Sequence, residues 1–361
     1  MMEYKVNPMD EVMKAFAIEF TVDPYGDGHI NDTYIADSRP RYILQRINTS
    51  IFTDPQKLME NIEAVTMHLR RIITANGGNP DRETLTVIRT TDDKLFYEST
   101  DGSCYRMYKF IDNTISLNLP ENPHQFETSA RAFGKFQNML SDFDAASLSE
   151  TIPDFHHTPK RTANLVKAME DNLAGRKEEV ADIYDAYLKF ADDCAIITND
   201  LESGAIPKRV THNDTKLNNV LFDAVTKEGI CVIDLDTVMP GSLLFDYGDS
   251  LRFGASTAVE DEADLDKVWF DLEYFESYTR GFLSELGDKI TAREVELMPL
   301  GALTMTYECG IRFLTDYLNG DTYFKIHYAD QNLVRAKNHL KLCTDIASKL
   351  DEMKKIVAKY V

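Results

Sequence analysis

The sequence predicts an α+β protein of two lobes, a small β-rich N-terminal lobe and a larger, mainly helical C-terminal lobe. Three observations predict it: short alternating apolar runs up to residue 111, a stretch rich in Asn, Pro and Ser over 112–124, and long helical periods from residue 125 onward. A chain of 361 residues is long enough for two such domains. We therefore predict a first lobe over 1–111, a linker over 112–124 and a second lobe over 125–361.

The first lobe is predicted to contain strands on both sides of one helix. Residues 34–36 and 41–46 bracket an Asp-Ser-Arg-Pro turn, which is typical of a hairpin. Asp54 and Pro55 then open a helix whose apolar residues recur at helical spacing. Three further alternating runs indicate strands, at 84–89, 95–98 and 105–110.

The second lobe is predicted to be helical because apolar residues recur every three or four positions. One helix is predicted from the spacing of Phe126 to Leu140, and one long helix from the spacing of Ile183 to Cys194. Further helices are predicted at 268–286, 292–316 and 332–359.

Charge and composition exclude several classes of partner. A net charge of −21 and a pI near 4.8 oppose binding to nucleic acid or to an anionic membrane surface, because both require a basic surface. The 5 cysteines are scattered without a C-x-x-C pair, which is typical of reduced thiols. No apolar run reaches the length of a membrane span. We expect a cytoplasmic protein without an obligate protein partner.

The most informative segment runs from Val210 to Asp234. An apolar strand leads to a His-Asn-Asp triplet ending at Asp214, Asn219 follows five residues later, and a second apolar strand ends at Asp234. This order and spacing is typical of the catalytic loop and metal-binding strand of a kinase. Asp214 is placed to accept or orient the proton of an acceptor hydroxyl, and Asn219 and Asp234 offer the oxygen ligands that Mg²⁺ prefers. The sequence therefore predicts phosphoryl transfer with ATP and Mg²⁺ as cofactors.

Residues around this loop are given supporting roles. We interpret His212 as a buried scaffold residue and Asp246 as a brace for the loop backbone. Asp236 would face the same way as Asp234 if the strand continued, and it would then contact the outer shell of the metal or the acceptor.

The phosphates of ATP are predicted to lie against the segment 25–34, where Gly26, Gly28 and the side chain of Asn31 would cover them. The lysine that usually binds the α- and β-phosphates is missing. Gln45 occupies the inward position of its strand and Arg46 points outward. Glu63, with Glu60 one turn earlier, is either the helix carboxylate of this site or solvated helix surface.

A polar set lies in the last third of the chain. Glu308, Arg312 and Asp316 are four residues apart on one helix face, and this spacing favours i,i+4 salt links. The alternative is that Arg312 and Tyr323 bind the acceptor, as a hydrogen-bond fork and an aromatic face suited to a sugar. His156 and His157 are interpreted as part of the loop before a helix.

Several strings of residues resemble the aminoglycoside phosphotransferase and choline kinase superfamily, and within it the N-acetylhexosamine 1-kinases. The resemblance runs through nearly the whole chain and implies the two-lobed protein-kinase-like fold. It is carried by five segments, at 24–31, 42–45, 108–111, 211–219 and 233–242.

The resemblance implies ATP-dependent phosphorylation of the anomeric hydroxyl of N-acetylglucosamine or N-acetylgalactosamine, in bacterial sugar salvage. It implies Asp214 as the catalytic aspartate and Asn219 and Asp234 as magnesium ligands. It also implies that Lys109, Phe110 and Ile111 contact adenine through their backbone. Independently of the resemblance, we predict Asp236, Thr237, Arg312 and Tyr323 as acceptor-binding residues.

Two alternatives stay open at this point. The first is another small-molecule kinase of the same fold, acting on choline, methylthioribose, homoserine or an aminoglycoside. The second is a nucleotide-binding pseudokinase, which the presence of Asp214, Asn219 and Asp234 disfavours. The preference between the two N-acetylhexosamines rests on a few hydrogen bonds that the sequence does not reveal.

Overall fold

The structure is a computed structural model that describes residues 8–19, 21–26 and 30–361. The predicted α+β class is confirmed. The chain divides into two compact units, the first of residues 1–115, 142–153 and 221–239, and the second of residues 116–141, 154–220 and 240–361. None of the helices in the described residues is long and apolar enough to cross a bilayer.

The first unit is built on an antiparallel sheet, in which the predicted hairpin over 34–46 is confirmed. Its strands are β1 Val22–Pro24, β2 Asp32–Ala36, β3 Tyr42–Ile47, β4 Val87–Ile88, β5 Tyr97–Glu98 and β6 Cys104–Lys109. The order is β1-β2-β3-β6-β4, and β5 pairs with β6. The runs at 84–89 and 95–98 are therefore strands only over two residues each. Leu44 and Met107 lie in the apolar core beneath the sheet.

Three helices accompany this sheet: α1 Pro8–Ala15, α2 Pro55–Ala75 and α3 Pro80–Glu83. The predicted start of α2 is confirmed, because the side chain of Asp54 accepts a hydrogen bond from the amide of Lys57 at 3.1 Å. A second, three-stranded sheet is formed by β7 Thr114–Ile115, β9 Val220–Asp223 and β10 Gly229–Val232.

The second unit is mainly helical. Its helices are α4 Pro123–Met139, α5 Thr158–Asp171, α6 Lys177–Leu188, α7 Ala191–Ser203, α8 Leu243–Gly254, α9 Leu272–Leu286, α10 Ala292–Leu318 and α11 Gln331–Val357. Two short strands, β8 Arg209–Thr211 and β11 Met239–Gly241, pair with each other.

The structure corrects two helix predictions. The long helix through Ile183 and Cys194 is two helices, because α6 ends at Leu188 and α7 begins at Ala191. The helix predicted from residue 268 begins at Leu272, where the Asp271 side chain caps it by accepting from the amides of Glu273 and Tyr274. The predictions over 292–316 and 332–359 are confirmed by α10 and α11.

Helix α8 lies unusually close to α10. A Cβ atom placed on Gly248 would overlap the backbone of Gly301, so only glycine allows this approach. The close approach matters for function because α8 carries the two carboxylates that brace the predicted catalytic loop.

Candidate active site

The predicted catalytic loop follows β8 and ends in a short 3₁₀ turn at Leu217–Asn219. Asp214 lies in its middle, with a side chain that is 27% exposed. Its amide donates to Nδ1 of His212 at 3.2 Å. The Asn219 side chain donates to the Asp214 carbonyl at 2.8 Å and to its Oδ2 at 3.2 Å. The loop thus presents one accessible carboxylate in a fixed direction.

The backbone of this loop is held by Asp246 on α8. Its buried carboxylate accepts the amides of His212 at 2.9 Å and Asn213 at 2.7 Å, and the Gln137 side chain at 2.6 Å. Burial raises the pKa of Asp246. The predicted bracing role is confirmed. It also supports the left-handed backbone of Asn213, at φ 66°.

A second carboxylate, Asp249, holds the next residue of the loop. It accepts the amide of Thr215 at 3.1 Å and pairs with Arg252 at 2.8 Å. Burial is the largest influence on the pKa of Asp249 and raises it, but the charges of Arg252, Lys216 and His156 together lower it below its usual range. Asp249 is therefore held as an anion beneath the loop.

Lys216 pairs with the predicted catalytic carboxylate, with Nζ 3.1 Å from Oδ1 of Asp214. The negative charge of Asp214 is the main cause of the raised pKa of Lys216. The sequence reasoning gave this lysine no role. It places a cation next to the carboxylate of Asp214.

His156 is the second residue that the sequence reasoning missed, since it was assigned only to a loop before a helix. Its Nδ1 lies 2.8 Å from Oε1 of Glu308, and its Nε2 lies 3.0 Å from the carbonyl of Asn213. Both partners only accept hydrogen bonds, so both ring nitrogens carry hydrogen and the ring is an imidazolium. His157, in contrast, serves as the N-cap of α5.

The residues predicted to bind magnesium have suitable donor groups. Asn219 is buried and uses its amide nitrogen on Asp214, which leaves its amide oxygen for a cation. Asp234 is exposed and has a left-handed conformation at φ 59°. An amide oxygen and a carboxylate fit a hard divalent cation. Asn219 belongs to the second compact unit and Asp234 to the first.

The structure corrects the argument about Asp236. Strand β10 ends at Val232, and residues 235–237 form a 3₁₀ turn, so strand alternation does not set the direction of Asp236. Its Oδ1 lies 2.5 Å from Nη1 of Arg106 on β6, and both side chains are almost fully buried. Asn31 donates to its Oδ2 at 2.7 Å.

Gln45 and Asn31, predicted to bind nucleotide phosphates, belong to the same hydrogen-bond network and are partly buried. Gln45 accepts from Nε of Arg106 at 3.0 Å and donates to Thr33 at 3.1 Å. The amide of Asn48 donates to the side chain of Asn31 at 3.0 Å. The prediction that Arg46 points outward is confirmed, since it is half exposed and pairs with Asp32.

The remaining predicted nucleotide residues lie in the first unit. Gly26 has a positive φ of 75°, whereas Gly28 lies outside the described residues. Glu63 pairs with Arg89 at 2.7 Å, and the Lys109 side chain pairs with Asp81 at 2.7 Å.

Some backbone groups of the predicted adenine segment, residues 109–111, are already hydrogen-bonded within the protein. The amide of Lys109 donates to Thr86, and the amide of Phe110 donates to Arg41. The ring of Phe110 contacts Tyr25 edge to face. The carbonyl of Ile111 accepts a hydrogen bond from Thr114 at 2.9 Å.

The favoured salt links on α10 are absent, and that prediction is wrong. Glu308 bonds to His156 and to Thr158. Asp316 accepts four donors at 2.8–2.9 Å, which are the amides of Thr322, Tyr323 and Phe324 and the side chain of Asn332.

Arg312 therefore has neither carboxylate as a partner. Its guanidinium group lies 5.8 Å from the ring centre of Tyr323 and 5.3 Å from that of Phe324. Within the described part of the chain it makes no hydrogen bond or ion pair. Tyr323 is 72% exposed, while Thr237 is buried.

Comparisons with known proteins bear on the family and the fold of the chain. A model of the phosphotransferase enzyme family matches residues 21–278. An aminoglycoside phosphotransferase from Alicyclobacillus acidocaldarius has a TM-score of 0.60 at 11% identity, covering 97% of this chain and 98% of that one.

Two further solved structures are similar. An amicoumacin kinase, solved with AMP-PNP, Ca²⁺ and Ami, has a TM-score of 0.56 at 12% identity, covering 95% of this chain and 92% of that one. A choline kinase from Streptococcus pneumoniae has a TM-score of 0.51 at 12% identity, covering 95% and 100%. At these identities the likeness shows the fold, which is the predicted two-lobed kinase-like fold.

Proposed function

The chain belongs to the phosphotransferase enzyme family, and we propose that within it the protein is a small-molecule kinase using ATP and Mg²⁺. The acceptor is the anomeric hydroxyl of N-acetylglucosamine or N-acetylgalactosamine, and the products are the sugar 1-phosphate and ADP. The acceptor identity rests on the sequence resemblance and on the residues around Arg312.

The observation that carries the proposal is the setting of Asp214. Its carboxylate is accessible, while the backbone on both sides is fixed by buried Asp246 and Asp249. A group that orients an attacking hydroxyl must be held in place before the substrate arrives. Asp214 accepts the hydroxyl proton as the oxygen attacks the γ-phosphorus.

The divalent metal would be held by the amide oxygen of Asn219 and the carboxylate of Asp234. When bound, it neutralises charge on the transferring phosphoryl group. The residues of the chain act beside it: Asn219 links the metal site to Asp214 through the hydrogen bonds of its amide nitrogen. Lys216 adds positive charge next to Asp214.

The nucleotide is proposed to contact the residues predicted from the sequence, which are Gly26, Gly28, Asn31, Gln45, Glu63, Lys109, Phe110 and Ile111. The side chains of Asn31 and Gln45 are also hydrogen-bonded to Asp236 and Arg106, which holds them in place in this region. Phe110 and Ile111 remain the proposed neighbours of adenine.

The acceptor is proposed to bind Arg312 and Tyr323. Arg312 offers hydrogen-bond donors that no described residue uses, and the exposed Tyr323 ring offers a face on which a sugar can stack. His156 joins this helix to the catalytic loop, since it contacts both Glu308, one turn before Arg312, and the carbonyl next to Asp214. Asp236 and Thr237 stay predictions as sugar-binding residues.

A kinase for a cationic acceptor such as choline or an aminoglycoside is the second candidate, and the fold supports it equally. The specific observation against it is Arg312, because an unpaired guanidinium repels a cation. Neutral acceptors such as methylthioribose are compatible with Arg312.

The test is ADP release with ATP and Mg²⁺ over a panel of acceptors: both N-acetylhexosamines, glucose, galactose, choline, methylthioribose and an aminoglycoside. We expect turnover with the N-acetylhexosamines and a sugar 1-phosphate signal by phosphorus NMR. Asp214→Asn should lower kcat by about a thousandfold while ATP still binds. Turnover confined to a cationic acceptor would overturn the sugar assignment, and near-normal turnover by the variant would remove Asp214 from its role.

A further inference from the structure

A second arginine lies at the same helix crossing as Arg312. Arg161 on α5 donates from Nη2 to the carbonyl of Phe155 at 3.0 Å. Its Nε is buried and has no hydrogen-bond partner among the described residues. The nearby carboxylate of Asp154 pairs with Lys160 at 2.6 Å instead. Arg161 thus holds a hydrogen-bond donor that the protein leaves unused.

The crossing of α5 and α10 fixes the place of both arginines. The Thr158 hydroxyl donates to Oε2 of Glu308 at 2.7 Å, and the hydroxyls of Thr162 and Tyr307 lie 2.9 Å apart. Arg161 follows Thr158 by three residues, and Arg312 follows Glu308 by four. Each arginine therefore lies about one helical turn from the hydrogen bond between Thr158 and Glu308.

The two arginines affect each other electrostatically. Burial is the main cause of the lowered pKa of Arg161, and the positive charge of Arg312 is the next. Two positive charges close together repel each other unless a group with negative or partly negative atoms lies between them.

The acidic side chains at this crossing are already occupied. Glu308 neutralises the imidazolium of His156, and Asp316 is occupied by backbone amides and Asn332. Neither of these carboxylates pairs with Arg161 or Arg312, and the two guanidinium groups together form a positively charged surface. Such a surface attracts carbonyl and hydroxyl oxygens and repels ammonium groups.

We propose that Arg161 is a specificity-determining residue, which with Arg312 selects acceptor sugars whose amino group is acylated over sugars that carry a free, protonated amine. This proposal rests on the proposed sugar kinase function. The acyl carbonyl accepts a hydrogen bond from a guanidinium group of the pair. A protonated amine at the same carbon is rejected by both positive charges.

The experiment compares kcat/KM for N-acetylglucosamine and for glucosamine at pH 6.5, where the amine is protonated. We expect the wild-type enzyme to favour the acylated sugar strongly. Arg161→Gln should lower the ratio of kcat/KM for N-acetylglucosamine to kcat/KM for glucosamine by about tenfold, because one of the two charges that repel the amine is gone. The change should appear mainly in the KM values of the two sugars. The KM for ATP should not change.

Lys160→Gln is the matched control, since it removes the same charge from the adjacent position on the exposed side of α5. It should leave the sugar ratio unchanged. Arg161→Lys keeps the charge and should retain most of the discrimination. If the glutamine variant does not fold, Arg161→Met removes the charge while keeping an apolar stem and tests the same ratio.

The outcomes separate the two proposals. An active wild-type enzyme whose sugar ratio is unchanged by Arg161→Gln or Arg161→Met overturns the role of Arg161 and leaves the kinase function standing. A ratio narrowed equally by Lys160→Gln also overturns it, because the effect would then be general charge. A wild-type enzyme without turnover of either sugar overturns the sugar kinase function and this selectivity together.

Discussion

The ring of His156 and the carboxylate of Glu308 form a buried ion pair, 2.8 Å apart, in which the histidine carries its proton. Burial is the largest influence on the pKa of His156 and lowers it, but the charge and hydrogen bond of Glu308 raise the pKa above its ordinary value. Burial likewise raises the pKa of Glu308, and the charge of His156 outweighs it, so that this pKa falls. The predicted catalytic loop is therefore held at the carbonyl of Asn213 by a protonated histidine.

The first prediction concerns the pH dependence of stability. Because the folded pKa of His156 is raised, its contribution is complete below the unfolded value of about 6.5 and is lost as pH rises through the folded pKa. His156→Gln should lower the free energy of unfolding by about 3 kcal/mol at pH 6, since it leaves Glu308 buried without its partner. The difference in unfolding free energy between the variant and the wild type should become smaller as the pH rises towards 9.

Urea unfolding at several pH values, followed by the fluorescence of Trp269 in the second unit, measures this gap. His157→Gln is the control, because its side chain is partly exposed and caps a helix. A gap that stays constant with pH would show that His156 is not charged in the folded protein.

The second prediction compares two adjacent asparagines. Asn219 is buried and bonded to Asp214, whereas Asn218 is exposed. Asn219→Ala should lower kcat by at least about a hundredfold and raise the Mg²⁺ concentration needed for half-maximal rate, because a metal ligand and a loop contact are both lost. Asn218→Ala should behave as wild type. Equal Mg²⁺ requirements in the two variants would contradict the assignment of Asn219.

The third prediction concerns the buried pair of Arg106 and Asp236. Arg106→Leu leaves the Asp236 carboxylate buried without its cation and should cost about 3 to 5 kcal/mol of unfolding free energy. Adding Asp236→Asn to that variant should recover a large part of the loss. Arg46→Gln, in an exposed pair on the neighbouring strand, should cost less than about 1 kcal/mol.

Urea unfolding followed by circular dichroism measures these three losses and that of the single variant Asp236→Asn. A double variant whose loss equals the sum of the two single losses would show that Arg106 and Asp236 are not energetically coupled.

The fourth prediction concerns the brace beneath the loop. Asp246→Asn keeps the size of the side chain but replaces one accepting oxygen by a donor, which then faces the backbone amide of His212 or of Asn213. We expect a loss of about 2 kcal/mol in unfolding free energy and a kcat at least about tenfold lower, with the KM for ATP little changed. Asp288→Asn, at an exposed carboxylate of the same unit, is the control. A normal kcat would show that the loop keeps its shape without this brace.

The sequence was sufficient to predict those parts of the candidate site that are local in the chain. Asp214 and Asn219 are five residues apart, and the fixed spacing of a loop after a strand indicates both as candidates. The helix cap at Asp54 and the hairpin over 34–46 could be predicted for the same reason, since each depends on neighbours in sequence.

The contacts that were missed, apart from that between Lys216 and Asp214, join residues that are distant in the chain. Arg106 and Asp236 are 130 residues apart, and His156 and Glu308 are 152 apart. A single sequence contains no signal that links such positions. The failed salt links on α10 show the same limit, because helical spacing predicted partners for Glu308 and Asp316 that tertiary contacts had already taken.

The four hydrogen bonds to Asp316 have a consequence for how the acceptor range of this fold can change. Three of them come from backbone amides at 322–324, so any residue except proline at position 323 keeps these bonds and the shape of the segment. If the acceptor binds Tyr323 as proposed, a substitution there would alter the surface that it contacts without disturbing the helix beneath. The position is suited to directed evolution towards new acceptors, because a library at residue 323 can vary chemistry at little risk to folding.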